Sequence, residues 1–154
     1  MEYKILTKSF SDTIEYGRKL GLLLKPNSLI CMRGDLACGK TTFTKGIGMG
    51  IGVTTVINSP TFTILKIYHG QMPLFHIDAY RLLDNDYDLG FEELLSDDGV
   101  VVVEWYDYMS NMLGDEYLEL EFEHIDENTR SIKMLAHGKK YEQLLEEYYA
   151  SAMC

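Results

Sequence analysis

Gly34 to Thr41 reads Gly-Asp-Leu-Ala-Cys-Gly-Lys-Thr, which is the G-x-x-x-x-G-K-[ST] spacing of a loop that wraps a phosphate. Each residue type has a mechanical purpose. Gly34 and Gly39 let the backbone turn tightly and approach an anion, so that amides along Asp35, Leu36, Ala37, Cys38, Gly39, Lys40, Thr41 and Thr42 point inward. The helix that follows adds its positive dipole end. The Lys40 ammonium can reach the β- and γ-phosphates, and the Thr41 hydroxyl can ligate Mg²⁺. An apolar run, Leu29 to Met32, leads into the loop. Strand, loop and helix signals therefore arrive in the order the motif requires, and a bound nucleoside triphosphate is expected.

Hydrolysis also needs acidic groups near the metal and the attacking water. Two apolar runs end in an acid: Leu74-Phe75-His76-Ile77-Asp78, and Val100 to Val103 followed by Glu104. At the carboxyl ends of parallel strands, one acid would hold Mg²⁺ and the other would orient the nucleophile; the residues alone do not say which does which. Thr61, in Ser59-Pro60-Thr61-Phe62, stands where switch-type hydrolases place a threonine that senses the γ-phosphate or its metal. The Leu6-Thr7-Lys8 stretch is a candidate contact for the base. His76 reads as a packed strand histidine. Cys38, at a helix start, reads as a low-pKa thiol without a required redox role.

These groups need a scaffold. Asp12 and Glu15 have capping-box spacing, and Ile14, Gly17, Leu20, Gly21 and Leu24 recur at helical intervals until Lys25-Pro26-Asn27. A helix from Lys40 to about Met49 carries Gly46, Gly48 and Gly50, which predict close packing against the sheet or an early end. Val53 to Ile57 reads as a short strand. Thr63 to Tyr68 and Pro73 to Tyr80 read as an antiparallel hairpin. Leu82 to Leu95 predicts one or two short helices, and Asp107 to Leu113 another. Val100 to Val103 predicts a strand buried on both faces. Tyr117 to Ile125 and Arg130 to Ala136 alternate as an antiparallel pair with one wet face, where Glu119, Glu121 and Glu123 lie. Tyr141, Leu144, Leu145, Tyr148 and Tyr149 form the apolar stripe of a closing helix. The expected fold is a single P-loop NTPase-like α/β domain over residues 1–154. It has three layers, with central parallel strands and antiparallel strands at the edges.

A chain of 154 residues can bury a full core. No apolar run is long enough to span a membrane, and Met-Glu-Tyr-Lys-Ile-Leu lacks the layout of a secretory signal. Cys31, Cys38 and Cys154 have no metal-ligand spacing. A cytoplasmic location is expected. Residues 1–77 carry 9 Lys/Arg against 4 Asp/Glu, whereas residues 78–154 carry 5 against 20. So acidic a half repels nucleic acid, and any work on RNA would pass through a basic partner.

Four segments give the chain a family likeness: Gly34-Asp35-Leu36 leading into Gly39-Lys40-Thr41-Thr42, then Ser59-Pro60-Thr61-Phe62-Thr63, His76-Ile77-Asp78-Ala79-Tyr80-Arg81, and Glu104-Trp105. In their order and spacing the chain resembles the TsaE (YjeE) family over nearly its full length. That family is the bacterial ATPase that works with TsaD and TsaB in making threonylcarbamoyladenosine in tRNA. The resemblance implies that Lys40, Thr41, Asp78, Glu104 and Trp105 match positions needed for ATP turnover or tRNA modification, with Thr41 and Glu104 as Mg²⁺ ligands. It also implies that the transfer chemistry sits on TsaD, that tRNA is met only indirectly, and that Trp105 serves the site or a partner surface. Ala37-Cys38 stands where the family reads Gly-Ala, which would cost about 1 kcal/mol if residue 37 needs positive φ. Tyr106 replaces a frequent proline. A small-molecule kinase would need an arginine-bearing lid, yet the chain has only Arg18, Arg33, Arg81 and Arg130, unclustered. A guanine-specific Asn/Thr-Lys-x-Asp element is missing from the sequence. A non-catalytic module glued to its partners by nucleotide is the remaining alternative. Activity is expected to be weak alone and stimulated by partners, because no arginine finger is in reach.

Overall fold

Residues 2–34, 39–57, 65–78, 98–104 and 114–152 are described in the computed structural model. In chain order they form β1 (Glu2–Thr7), α1 (Phe10–Leu23), β2 (Ser28–Arg33), α2 (Lys40–Ile51), β3 (Leu65–His69), β4 (Pro73–Asp78), β5 (Val100–Glu104), β6 (Tyr117–His124), β7 (Arg130–His137) and α3 (Lys139–Ala152). The strands make one mixed sheet in the order β1-β7-β6-β2-β5-β4-β3. Its central strands β6, β2, β5 and β4 run parallel, while β3 at one edge and the β7–β1 pair at the other are antiparallel.

Strand periodicity sorts the core. Ile30 and Met32, Val100 and Val102, Leu118, Leu120 and Phe122, and Ile132 and Met134 share one face, where they join one cluster with Leu20, Phe43, Ile47, Tyr141, Leu145 and Tyr148. The three described helices therefore cover the same face. Leu29, Cys31, Phe75, Ile77, Val101 and Val103 are also buried, on the other face. The Val100–Val103 run is thus enclosed on both sides, as its composition predicts. The segments predicted as further helices, 82–95 and 107–113, lie outside the described residues.

Four local expectations are corrected. The cap of α1 is Ser9 rather than Asp12: Ser9 Oγ accepts from the Asp12 amide at 3.0 Å, and Asp12 Oδ2 accepts from the Lys8 amide at 2.9 Å. Asp12 thus reaches back past the cap to the amide of the residue before it, a variant of the reciprocal capping arrangement. Residues 53–57 form no strand; Val53 and Ile57 are buried without ladder partners, Val53 being held by its amide on the Gly48 carbonyl at 2.8 Å. Helix α2 does not end early, and two of its glycines serve a helix rather than the sheet. Gly46 and Gly50 lie against Gly17 and Gly21 of α1, so close that a Cβ on any of the four would fall on a backbone carbonyl oxygen of the opposing helix. Finally, Glu119 is buried although its neighbours on the wet face are not; Arg33 of β2 and His137 of β7 both engage its carboxylate.

Candidate active site

Strands β2, β5 and β4 end together. Met32 pairs with Glu104 and Glu104 with Asp78, so the three form one row across the carboxyl end of the parallel sheet. Residues directly opposite one another share a face, about 4.8 Å apart. That face is the one α2 covers, since Thr44 of α2 reaches Met32 Sδ at 3.6 Å. Asp78 and Glu104 are therefore neighbours on the side of the sheet where α2 begins. Glu104 is only 5% exposed and Asp78 is partly buried.

The loop between β2 and α2 starts and ends on glycines that need their conformations. Gly34 has φ +148° and Gly39 φ +103°, in the region that side chains disfavour. Gly39 caps α2 with no side-chain acceptor, and the first helical bond runs from the Phe43 amide to the Gly39 carbonyl at 2.9 Å. The amides of Lys40, Thr41 and Thr42 precede that bond and have no intrahelical acceptor, which is the anion-binding arrangement of a helix start. Lys40 folds back so that Nζ donates to the Gly34 carbonyl at 2.7 Å, which spans the loop. Phe43 packs edge-to-face on Phe122 of β6, with ring centroids 5.7 Å apart, and so anchors the first turn of α2 to the sheet.

Of the residues singled out in the sequence, Asp78 and Glu104 stand side by side in one row, and Gly39, Lys40, Thr41 and Thr42 open the helix that covers the same face. Asp35, Leu36, Ala37, Cys38, Thr61 and Trp105 lie outside the described residues. Thr7 sits nearby but is turned inward: it is fully buried, and its hydroxyl lies 2.7 Å from that of Thr13, which itself donates to the Ser9 carbonyl at 3.2 Å.

Two residues gain importance that sequence reasoning did not give them. His76 is fully buried on β4, on the same face as Asp78, and its Nε2 meets Glu104 Oε2. Among the described residues its Nδ1 has no hydrogen-bond partner, an omission that costs about 1–3 kcal/mol for a buried polar group. Arg130, the first residue of β7, pairs with Thr7 and lies against the loop, its Cγ 3.6 Å from where a Cβ on Gly39 would be. Its guanidinium donates to the Asp126 and Thr129 carbonyls at 2.8 and 3.1 Å. The pairing of β7 with β1 and β6 places this arginine there; nothing in its sequence neighbourhood signals it. Arg33 lies just before the loop but is engaged by Glu119 and Glu121. The Arg33 guanidinium holds the Glu121 carboxyl below the usual carboxylate range. Arg18 pairs with Glu15.

Thr41 and Glu104 supply a hydroxyl and a carboxylate. Mg²⁺ takes one or two such oxygens from a protein and the rest from phosphate and water, so this donor set suits it. No cluster of three or more His, Cys, Asp or Glu suited to a metal occurs among the described residues. No described helix is long and apolar enough to cross a membrane.

Known proteins resemble this chain in sequence and in fold. The family model described as Threonylcarbamoyl adenosine biosynthesis protein TsaE matches residues 7–132. The tRNA threonylcarbamoyladenosine biosynthesis protein TsaE of Bacillus subtilis is 44% identical over 147 residues, covering 95% of this chain and 93% of the relative. That of Treponema pallidum is 36% identical over 139 residues, covering 89% and 96%. The crystal structure of Bacillus subtilis YdiB superposes with a TM-score of 0.86 at 33% identity, over 97% of this chain and 95% of that one. Matched along most of its length by the family model and by relatives of nearly its own extent, the chain belongs to the TsaE family of tRNA threonylcarbamoyladenosine biosynthesis proteins.

Proposed function

We propose that this chain is a three-layer, P-loop NTPase-like single domain that binds and hydrolyses ATP with Mg²⁺. In this reading it is a cytoplasmic subunit acting with TsaD and TsaB. ATP turnover drives or resets the assembly, while the transfer to tRNA takes place on TsaD. The observation that carries the reading is the row of Met32, Glu104 and Asp78 beside a loop turned on Gly34 and Gly39, with Lys40 folded across it.

The residues divide the work. Backbone amides from Asp35 through Leu36, Ala37 and Cys38 to Thr42 bind the phosphates. Lys40 exchanges the Gly34 carbonyl for β- and γ-phosphate oxygens. Thr41 and Glu104 hold Mg²⁺, which when bound neutralises charge on those oxygens. Asp78, next in the row, orients the attacking water. Thr61 senses the γ-phosphate, and Trp105 serves the site or a partner surface. Thr7 acts on the nucleotide through Thr13 and the position of Gly39, since its own hydroxyl is occupied. Arg130 is pinned to the 126–129 turn. Transition-state charge is then incompletely neutralised in the isolated chain, and partners raise the rate.

Binding of a fluorescent ATP analogue to Lys40→Ala tests the site. Loss of a charge-assisted contact worth about 1.5–3 kcal/mol weakens affinity by roughly 10- to 150-fold; an unchanged affinity refutes the assignment. ATP turnover with and without TsaD and TsaB tests the partner dependence, which high turnover by the lone chain would exclude. Full complex function in Glu104→Ala with ATP still bound would instead favour a non-catalytic, nucleotide-glued module.

A further inference from the structure

We infer that His76 is a positioning residue for Glu104, holding one carboxylate oxygen so that the other is presented to the divalent cation. The inference rests on the reading of Glu104 as the Mg²⁺ ligand and adds the group that makes it one.

His76 lies between Leu74 and Asp78 on the face of β4 that looks toward α2, one strand from Glu104 and diagonal to it across Val102. The imidazole is fully enclosed, and its hydrogen bond is made by Nε2 to Glu104 Oε2. With a carboxylate as partner, Nε2 carries the proton and donates. Among the described residues Nδ1 has no partner in this buried place. An apolar side chain would fill this position without stranding a polar atom, as Leu74 does two residues earlier at 0% exposure. What the histidine supplies and leucine cannot is the donor aimed at Glu104.

That donor matters because of what a glutamate is. Three side-chain torsions separate its carboxylate from the backbone, and at the end of a strand it can swing. Fixing Oε2 selects one orientation before any cation arrives and leaves Oε1 as the oxygen for the metal. Hydrogen-bonding partners of ligating carboxylates typically change metal affinity by about 10- to 100-fold when removed. His76 touches neither nucleotide nor metal in this arrangement; it acts through Glu104.

The test follows Mg²⁺ rather than turnover. A fluorescent, non-hydrolysable ATP analogue is bound first in EDTA and then titrated with MgCl₂, and the concentration that half-completes the Mg²⁺-dependent change is read. Affinity in EDTA also reports that each variant is folded. His76→Leu keeps volume and loses the donor, and its half-saturation should rise about tenfold or more. His76→Gln, whose amide ends near the position of Nε2, should stay within about threefold of wild type, by the same donor logic. If the leucine variant does not fold, His76→Asn replaces it, since its amide stops where Nδ1 lies, short of Glu104. Equal half-saturation in the donor-bearing and donor-lacking variants overturns the inference. Glu104→Ala should abolish the Mg²⁺ response. If it does so while His76→Leu behaves as wild type, His76 alone is wrongly assigned. If Glu104→Ala responds normally, the metal-ligand reading fails and this inference with it.

Discussion

Replacing Gly46 with alanine puts a methyl group between α1 and α2. An ideally placed Cβ there falls on the carbonyl oxygen of Ile14, 2.8 Å from the Arg18 amide nitrogen and 2.9 Å from Gly17 Cα. All three neighbours are backbone, so none can rotate aside. In an unhindered helix the change would stabilise by about 1 kcal/mol through propensity alone. Here the helices must separate, and overpacking of this kind costs about 1–3 kcal/mol or more. Because three further glycine contacts (Gly17 at Phe43 O, Gly21 at Ile47 O, Gly50 at Arg18 O) lie on the same seam, little slack remains. A net loss of about 2 kcal/mol is expected, or a fall of roughly 4–8 °C in Tm for a domain of this size. Thermal unfolding of the nucleotide-free protein measures it, with Gly48→Ala as a milder companion, since the first atom met there is the movable Ile57 Cδ1. The same separation shifts the helix whose first residue is Lys40, so nucleotide affinity should fall along with Tm. A Tm equal to or above wild type for Gly46→Ala would show that the helices do not approach as described.

Ser9→Ala removes the side-chain cap of α1 and should lower stability by about 1 kcal/mol, a Tm loss of roughly 2–4 °C. Tyr141→Phe deletes the hydroxyl that accepts from the buried Leu29 amide at 2.9 Å. Leu29 is in register with Val101 of β5, while the β2–β6 ladder begins one residue later, at Ile30, so β6 does not supply a replacement acceptor. The expected loss is about 1–3 kcal/mol in urea unfolding, and an unchanged midpoint would contradict the bond. Glu121→Gln tests the pair with Arg33, whose hydrogen bond depresses the Glu121 pKa in the folded chain. A depressed carboxylate stabilises above its unfolded value of about 4.3 and loses that contribution as pH falls through the lower folded value. Wild type should therefore exceed the variant by a small, salt-sensitive margin above about pH 5, closing below about pH 4. A margin unchanged at acid pH would mean that Arg33 is not its source.

Much of the fold can be read from local patterns because the physics behind them is local. The β3–β4 hairpin follows from its short connection, β5 from a run of valines, and α3 from a stripe at helical spacing. The turn out of β2 is the clearest case: Gly34 and Gly39, the two glycines of the motif spacing, both have positive φ. Where the reading failed, two structures share one pattern. Val53 and Ile57 look like strand residues since apolar, β-branched side chains report burial, and burial here comes without a ladder. Glu119 looks wet by alternation, but alternation does not say which side chains of the neighbouring strands meet it, here Arg33 and His137. Gly46 and Gly50 announce close packing without naming the partner, which proves to be α1.

The amino-acid order by itself determined which groups can do chemistry: a loop of amides with a lysine and a threonine at its exit, and two acids ending apolar runs. Such features depend on neighbours within a few residues, and covalent connection supplies that proximity. Only the tertiary structure decided that Asp78 and Glu104 stand in one row with Met32, that His76 grips Glu104, and that Arg130 lies against Gly39. These relations join residues tens of positions apart. Strand order and register bring them together, and both are set by the packing of the whole sheet.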